Sequence, residues 1–235
     1  MRIVIDTETT GLDPEQDELL QVSIICADSE SVLFNKLIKP TRATSWEAAT
    51  AVNHITPEMV ANKLDISFYR DEIQHILTGA DEIIGYNTQF DLRFLKHVAG
   101  VNPRKNSKIV DVMQEYSETY GKWVADLHAY KWVKLIEAAE HFGYDWDAAP
   151  PHDSLGDVYA TLFVYNSMRD TNLYYLVTCT YADGTTAKSL APNRGHAFRI
   201  LYQLTQRRTD VESYRIQAID PDGLPGEIVQ DCPPF

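Results

Sequence analysis

One stretch constrains this chain more than any other: an unbroken apolar run ending in two acids one residue apart, Ile3-Val4-Ile5-Asp6-Thr7-Glu8. β-branched residues favour an extended backbone, and with no polar residue among them the strand has to be covered on both faces. Side chains alternate along a strand, so Asp6 and Glu8 leave it on the same side. Carboxylates placed that way repel each other unless positive charge stands between them, and divalent cations are the natural source. Thr9-Thr10-Gly11 reads as the turn that follows, with Gly11 able to bring the backbone close to a ligand. Taken alone, this string is also what a solvated strand end looks like. The rest of the chain separates the two readings.

Two further strands are expected at 19–26 and 32–38, joined through Asp28-Ser29-Glu30-Ser31, which makes an antiparallel meander with the first. Helical pattern follows at 45–52, again after Thr56-Pro57, and at 65–77. A short apolar strand at 83–85 then runs into a helix starting near Asn87, whose buried face is Phe90, Phe94 and Leu95 and whose first turn holds Asp91. An acid there is favourable to the helix in its own right. A strand at 109–111 and helices at 112–120 and 134–142 come next, the last closed by Gly143. Pro150-Pro151 stops any helix before His152, and Asp153 or Ser154 can cap a helix running to about 168. That puts Asp157 in the first turns of the helix and leaves His152 on the loop before it. A loop histidine is usually a surface residue, but beside a set of acids its near-neutral pKa suits a general base.

Beyond residue 169 the pattern changes to strand pairs, at 174–181 with 185–190 and at 214–219 with 227–229, on either side of a helix at 193–207. Turn signals at Ala182-Asp183-Gly184 and Pro221-Asp222-Gly223 join each pair. The expectation is therefore a catalytic domain over 1–169 and a small strand-strand-helix-strand-strand appendage over 170–235. Within the appendage, 188–208 carries five Lys or Arg and no acid. This is either a surface for nucleic acid or a protein partner, or simply a solvated helix face.

The 235 residues are 44% hydrophobic and 23% charged, the balance of an ordinary globular protein. A net charge of −13 argues against broad coating of nucleic acid, yet leaves a nuclease open, because metal ions can supply the charge that meets a phosphate. Cys26, Cys179 and Cys232 are too few and too scattered for a disulfide framework, and neither a leader nor a membrane-spanning run is visible. A cytoplasmic setting with no membrane partner is the expectation.

Together the strand ends and helix starts present Asp6, Glu8, Asp91 and Asp157 with His152. This pattern resembles the DEDDh family of 3′–5′ exonucleases, which includes the proofreading subunit of bacterial DNA polymerase III. The matching residues are Asp6-Thr-Glu-Thr-Thr-Gly-Leu12, Asn87-x-x-Phe90-Asp91 and His152-x-x-x-x-Asp157, with Val52-Asn53-His54-Ile55-Thr56 and Asp111 in intervening segments. The sister group carries tyrosine where this chain has Asp153, so His152 selects the histidine type. Tyr86 and Ser154 depart from the usual histidine and alanine, at positions that carry no charge in the site. The resemblance implies an α/β, ribonuclease-H-like fold: a mixed five-stranded sheet with helices on both faces.

It also implies two divalent cations, Mg²⁺ or Mn²⁺, held by hard carboxylate oxygens. Asp6, Glu8 and Asp157 would take the first, Asp6 would bridge to the second, and Asp91 would hold the second mainly through water. His152 would take the proton from the attacking water. Thr9, Gly11, Leu12, Asn87 and Phe90 would bind the 3′-terminal nucleotide, with the Leu12 side chain against its base. The implied activity is removal of nucleoside 5′-monophosphates from single-stranded or frayed 3′ ends of DNA. An exoribonuclease or oligoribonuclease remains the alternative in the same class, and a catalytically silent nucleic-acid-binding module of a larger complex the alternative in another.

Overall fold

The computed structural model describes residues 1–120, 122–125, 128–146, 152–169, 174–191, 197, 200–201, 203–205, 208–219 and 225–232. By backbone proximity the chain divides into two compact units, Met1–Ile136 with Asp145–Leu162, and Glu137–Tyr144 with Phe163–Phe235.

The first unit is built on a five-stranded sheet of order β3-β2-β1-β4-β5. Its strands are β1 (Arg2–Thr9), β2 (Leu19–Cys26), β3 (Val32–Leu37), β4 (Glu82–Gly85) and β5 (Lys108–Asp111). β1, β2 and β3 form the antiparallel meander, whereas β4 and β5 run parallel to β1 and to each other. The sheet is therefore mixed, as expected, and β1 is its centre. Ile3 and Ile5 belong to a core that takes in Ile24, Ile83, and Ile73 and Leu77 of α3 (Ile66–Gly79). Val4 and Ile84, on the opposite side by strand alternation, are fully buried too, so both faces are covered as the apolar run requires.

The parallel strands need crossovers, and the helices supply them. α1 (Glu47–Asn53), α2 (Pro57–Val60) and α3 lie between β3 and β4, and α4 (Thr88–Phe94) lies between β4 and β5. α4 continues into one π-helical turn, Leu95–Ala99, a widening that periodicity could not foretell because its residues are those of any buried helix. α5 (Val112–Tyr120) follows β5, and a two-residue-per-strand hairpin, β6 (Trp123–Val124) with β7 (Ala129–Tyr130), comes after it. That hairpin was not expected.

α7 (Ser154–Arg169) belongs to the first unit through Leu162 and to the second beyond it. The second unit contains α6 (Leu135–Phe142) from Glu137 onward, closed by Gly143 at φ 83°, and a four-stranded antiparallel sheet. That sheet has order β11-β10-β8-β9, from β8 (Tyr174–Tyr181), β9 (Thr186–Ala191), β10 (Val211–Ile219) and β11 (Pro225–Cys232). β10 and β11 are longer than expected; the residues they add, at 211–213, 225–226 and 230–232, form no apolar alternation of their own. Alternating burial along β8 marks a one-sided sheet, covered by Ala197 and Leu201, which are helical. Most of the expected 193–207 helix, Pro150-Pro151 and the Pro221-Asp222-Gly223 turn lie outside the described residues.

Candidate active site

The centre of β1 delivers Asp6 and Glu8 to one place, and α7 delivers the third acid. β2 is what sets the position of α7. Ser23, opposite Asp6 in the ladder, shares a 2.6 Å hydrogen bond with the Ser154 hydroxyl, and Gln21, opposite Glu8, donates to Asp153 at 2.8 Å. Asp153 also begins the helix, its carbonyl accepting the Asp157 N–H at 2.9 Å. One turn into α7, Asp157 joins the β1 acids: Asp6, Glu8 and Asp157 each present a carboxylate oxygen, all within 4.8 Å of one another. Ser154, a departure from the family pattern, thus ties the helix start to the sheet.

Asp91 comes from α4 and is 2% exposed. Its Oδ1 accepts the hydroxyl of Thr7 at 2.7 Å, the residue between the two β1 acids. Asn87, just before α4, takes the left-handed conformation at φ 68°, and its N–H donates to Asp111 Oδ1 at 3.0 Å. That turn re-aims the chain from β4 into α4 and sets where Asp91 emerges.

Burial is the first cause raising the pKa of every acid in the group. Asp6 is pushed well above the carboxylate range, by burial and then by the charges of Asp91 and Asp157. Glu8 rises to about 8, through burial and then Asp157, with a hydrogen bond from Asn53 opposing. Asp91 and Asp157 each rise to about 7 through burial, against the stabilising bonds from Thr7 and from the His152 N–H. One oxygen of the first acid, Asp6 Oδ2, is buried without a hydrogen-bond partner among the described residues. Buried polar atoms are almost always satisfied, so an orphaned carboxylate oxygen among repelling carboxylates fits a site for hard cations. The donor set, oxygens only, suits Mg²⁺ or Mn²⁺.

His152 stands at φ 66°, in the left-handed region that a non-glycine residue enters at a cost, and its N–H donates to Asp157 Oδ1 at 3.3 Å. Its pKa is lowered, first by burial and then by the charges of His54 and Lys134, so the imidazole is neutral near pH 7 and can accept a proton. The sequence therefore placed five residues, Asp6, Glu8, Asp91, His152 and Asp157, that the fold draws to one region.

The expected nucleotide contacts are placed less uniformly. The register shift at Glu8/Thr9 ends β1 in a bulge, and Thr9 Oγ1 closes onto the Gly11 carbonyl at 2.6 Å. A Cβ on Gly11 would displace the Asp17 carboxylate, which accepts the Asp13 N–H and the Thr10 hydroxyl, so glycine here makes room rather than meeting a demand of φ. Leu12 stands out from this loop, 82% exposed. Phe90, by contrast, packs against the core and against Phe94, ring centres 4.8 Å apart. Asn53 had no assigned role, though it sits in one of the matching segments. It is buried, donates to the Thr9 carbonyl at 3.2 Å and hydrogen-bonds Glu8. A buried asparagine beside a left-handed His54 cap was the available signal.

Comparison with known proteins gives the family and the fold. The RNase_T family model, described as Exonuclease, matches residues 3–165, and the chain belongs to that family. "Uncharacterized exonuclease CP81" of Escherichia phage 186 is 30% identical over 176 residues, 71% of this chain and 87% of that protein. The DNA polymerase III subunit epsilon of Treponema pallidum is 32% identical over 92 residues, 38% of this chain and 42% of the subunit. Among solved structures, E. coli exonuclease I in complex with a dA16 oligonucleotide superimposes with a TM-score of 0.56 at 16% identity, over 92% of this chain and 54% of that one. At that identity the likeness shows the fold, which is ribonuclease-H-like. The chain spans most of the phage protein but less than half of the epsilon subunit and about half of exonuclease I. No helix among the described residues is long and apolar enough to cross a membrane.

Proposed function

We propose that this protein is a metal-dependent 3′–5′ exonuclease, hydrolysing phosphodiester bonds from the 3′ end of DNA and releasing nucleoside 5′-monophosphates. The observation that carries the reading is the convergence of Asp6, Glu8 and Asp157, from β1 and α7, within 4.8 Å, beside a buried Asp6 oxygen that no described residue satisfies. Asp6, Glu8 and Asp157 would hold one divalent cation, and Asp6 with Asp91 a second. When bound, the cations supply the positive charge that activates water and stabilises the phosphoryl oxygens and the leaving alkoxide.

The chain's own residues do the remainder. The four carboxylates, destabilised by burial and mutual repulsion, hold the ions tightly without help from a net positive surface. Asp91 is held in orientation by the Thr7 hydroxyl. His152, neutral and tied by its backbone to Asp157, takes the proton that the attacking water loses. The Thr9–Leu12 loop, pinned by Asn53, offers main-chain groups to the terminal nucleotide, and exposed Leu12 offers it an apolar surface.

DNA and RNA oligonucleotides labelled at the 5′ end, incubated with Mg²⁺ or Mn²⁺, test this reading. The expected result is a descending ladder with 5′-mononucleotides released, faster on DNA, and no products with EDTA or with Asp6→Ala. Shortening from the 5′ end, or cleavage that persists in EDTA, would overturn it. Faster cleavage of RNA would move the assignment to an exoribonuclease.

A further inference from the structure

The β6–β7 hairpin is absorbed by nothing above, yet its residues are unusual. Over 122–134 the sequence is Lys-Trp-Val-Ala-Asp-Leu-His-Ala-Tyr-Lys-Trp-Val-Lys: three aromatics and three lysines with a single acid, in a chain of net charge −13. Trp123, Tyr130 and Trp132 are 51%, 38% and 68% exposed, three large rings on a short surface element. The hairpin holds them in fixed relation. Trp123 and Tyr130 face each other across the strands, edge to face with centres 5.1 Å apart, and Lys131 N–H bonds the Lys122 carbonyl at 2.8 Å. In an edge-to-face pair one ring keeps both faces and the other keeps one face for stacking.

The hairpin is also joined to the candidate active site. Trp123, Tyr130 and Trp132 line a cavity of about 780 Å³ together with Asn87 and Asp111. Asn87 is the turn that aims α4, and Asp111 accepts its N–H. On the return side, the Val133 carbonyl accepts the Tyr86 hydroxyl at 2.8 Å, and Val133 N–H donates to Ser117 Oγ at 3.3 Å. Lys134, next along, is near enough to His152 for its charge to be felt there.

We propose that the 122–134 hairpin is a stacking platform for single-stranded nucleic acid, on which bases preceding the 3′-terminal nucleotide lie against Trp132, Trp123 and Tyr130 while Lys122, Lys131 and Lys134 meet the backbone phosphates. The proposal rests on the exonuclease reading and adds to it the surface that holds the unpaired strand behind its 3′ end. Exposed rings stack on unpaired bases of any sequence, whereas bases inside a duplex have no free face to offer. Local lysines attract phosphate at this element, whereas the acidic body repels it elsewhere. The same cavity is lined by Asn87 and Asp111, the pair that sets the start of the helix carrying Asp91. A duplex end would therefore have to fray before it could occupy the hairpin.

The test is binding of fluorescent dT2, dT6, dT10 and rU10 by the full chain, with Ca²⁺ in place of Mg²⁺, followed by anisotropy. For the wild type, affinity is expected to rise from dT2 to dT10 and to be weaker for a blunt duplex of equal length. Trp132→Ala should lower dT10 affinity roughly 5- to 100-fold. Trp132→Ala with Lys131→Gln should in addition flatten the salt dependence. Trp132 is so exposed that its loss should leave the fold intact, which circular dichroism checks, and Trp132→Phe should restore part of the affinity. Affinity for dT10 that is unchanged in Trp132→Ala and in the double variant, or a wild type without length dependence, would overturn the proposal. Wild-type hydrolysis of a chromogenic thymidine 5′-monophosphate ester reports the catalytic reading separately. Loss of that activity with length-dependent binding intact would condemn the reaction and not the platform.

Discussion

Two sites in this protein, one in each unit, treat aspartate in opposite ways. In the first, Asp6, Asp91 and Asp157 are drawn into a site where burial and mutual repulsion raise their pKa values, two of them to about 7. In the second, Asp183 is held down at about 2 by the Thr185 hydroxyl and N–H and by Arg208, and Asp210 is lowered by the same arginine. Arg208 reaches both acids and the Thr185 hydroxyl, and its guanidinium lies 4.1 Å from the centre of the Tyr181 ring. The second arrangement carries its own cation; among the described residues no Lys or Arg is paired with the first. Uncompensated charge concentrated at the ends of well-buried elements is how a site differs from a surface, and it is visible without reference to any family.

The sharpest way to break that contrast is to remove a charge at its centre. Asp6→Asn keeps the shape of the side chain but gives up a carboxylate oxygen. Activity should fall at least about 10²–10³-fold, the loss typical when a group stabilising transition-state charge is removed. At the same time the metal-free protein should melt higher, by on the order of 2–4 °C for each kcal/mol of repulsion relieved in a chain of this size. Activity assays with end-labelled DNA and thermal melts in EDTA read the two effects. A variant that is inactive because it melts lower would show Asp6 to be a structural acid.

His152→Ala comes next, with a loss of about 10²–10⁴-fold in kcat. Metal affinity should change little, because the imidazole lies outside the carboxylate cluster. The acidic limb of the rate profile should shift, since in the wild type it contains protonation of this imidazole, whose pKa is held below its ordinary value by burial, His54 and Lys134. An unchanged kcat would return His152 to the status of a loop residue.

A third effect concerns pH without any substitution. Glu8, Asp91 and Asp157 have folded pKa values of about 8, 7 and 7, above an unfolded carboxylate value of roughly 4. The folded metal-free protein therefore binds these protons more tightly than the unfolded chain does. Their contribution is fully present below about pH 4 and is lost as pH rises through about 7–8. Melting temperature in EDTA should fall across that window, and saturating Mn²⁺ should remove the fall, because cations replace protons on the same oxygens. A metal-free melting temperature that climbed between pH 5 and 8 would mean that these carboxylates are stabilised in the fold.

Much of this was legible in the residues, for reasons that differ along the chain. The β1 run, the meander after it and the starts of α4 and α7 were readable because each is a long or strongly bounded pattern. The acids were readable because strand and helix geometry places them at those boundaries. What escaped depends on interactions between distant segments or on backbone detail. Nothing in Gln21 or Ser23 announces that they fix the start of α7, and Thr7 looks like a spacer between two acids until Asp91 is beside it. The β6–β7 hairpin has two residues to a strand, too few for alternation to appear, and its hold is an aromatic pair and two anchors, to α5 and to Tyr86 just after β4. Phe90 was expected both in the core and at the nucleotide, and the fold puts it against the core.

The smallest expected effect sharpens the comparison from the other side. The acid-free segment 188–208 suggested a basic strip for phosphates, but Arg208 is engaged within its own unit by Asp183, Asp210, Thr185 and Tyr181. Arg199 and Arg207 lie outside the described residues. Ion pairs this exposed are screened by salt and contribute little, so Arg208→Ala should lower the melting temperature only slightly, and less at high salt. It should leave oligonucleotide affinity and its salt dependence as in the wild type. The strip reading predicts otherwise: an arginine that met a phosphate would, once removed, weaken binding uniformly across sequences and reduce the log–log salt slope by about one. Comparing Arg208→Ala with the pair Arg199→Glu/Arg207→Glu in the full chain divides the segment. If the pair loses affinity and Arg208→Ala does not, the basic surface lies along 199–207 and Arg208 is its internal clasp. A fall in affinity with Arg208→Ala alone would show that its pairs open to receive phosphate, and the second unit would then share the uncompensated character of the first.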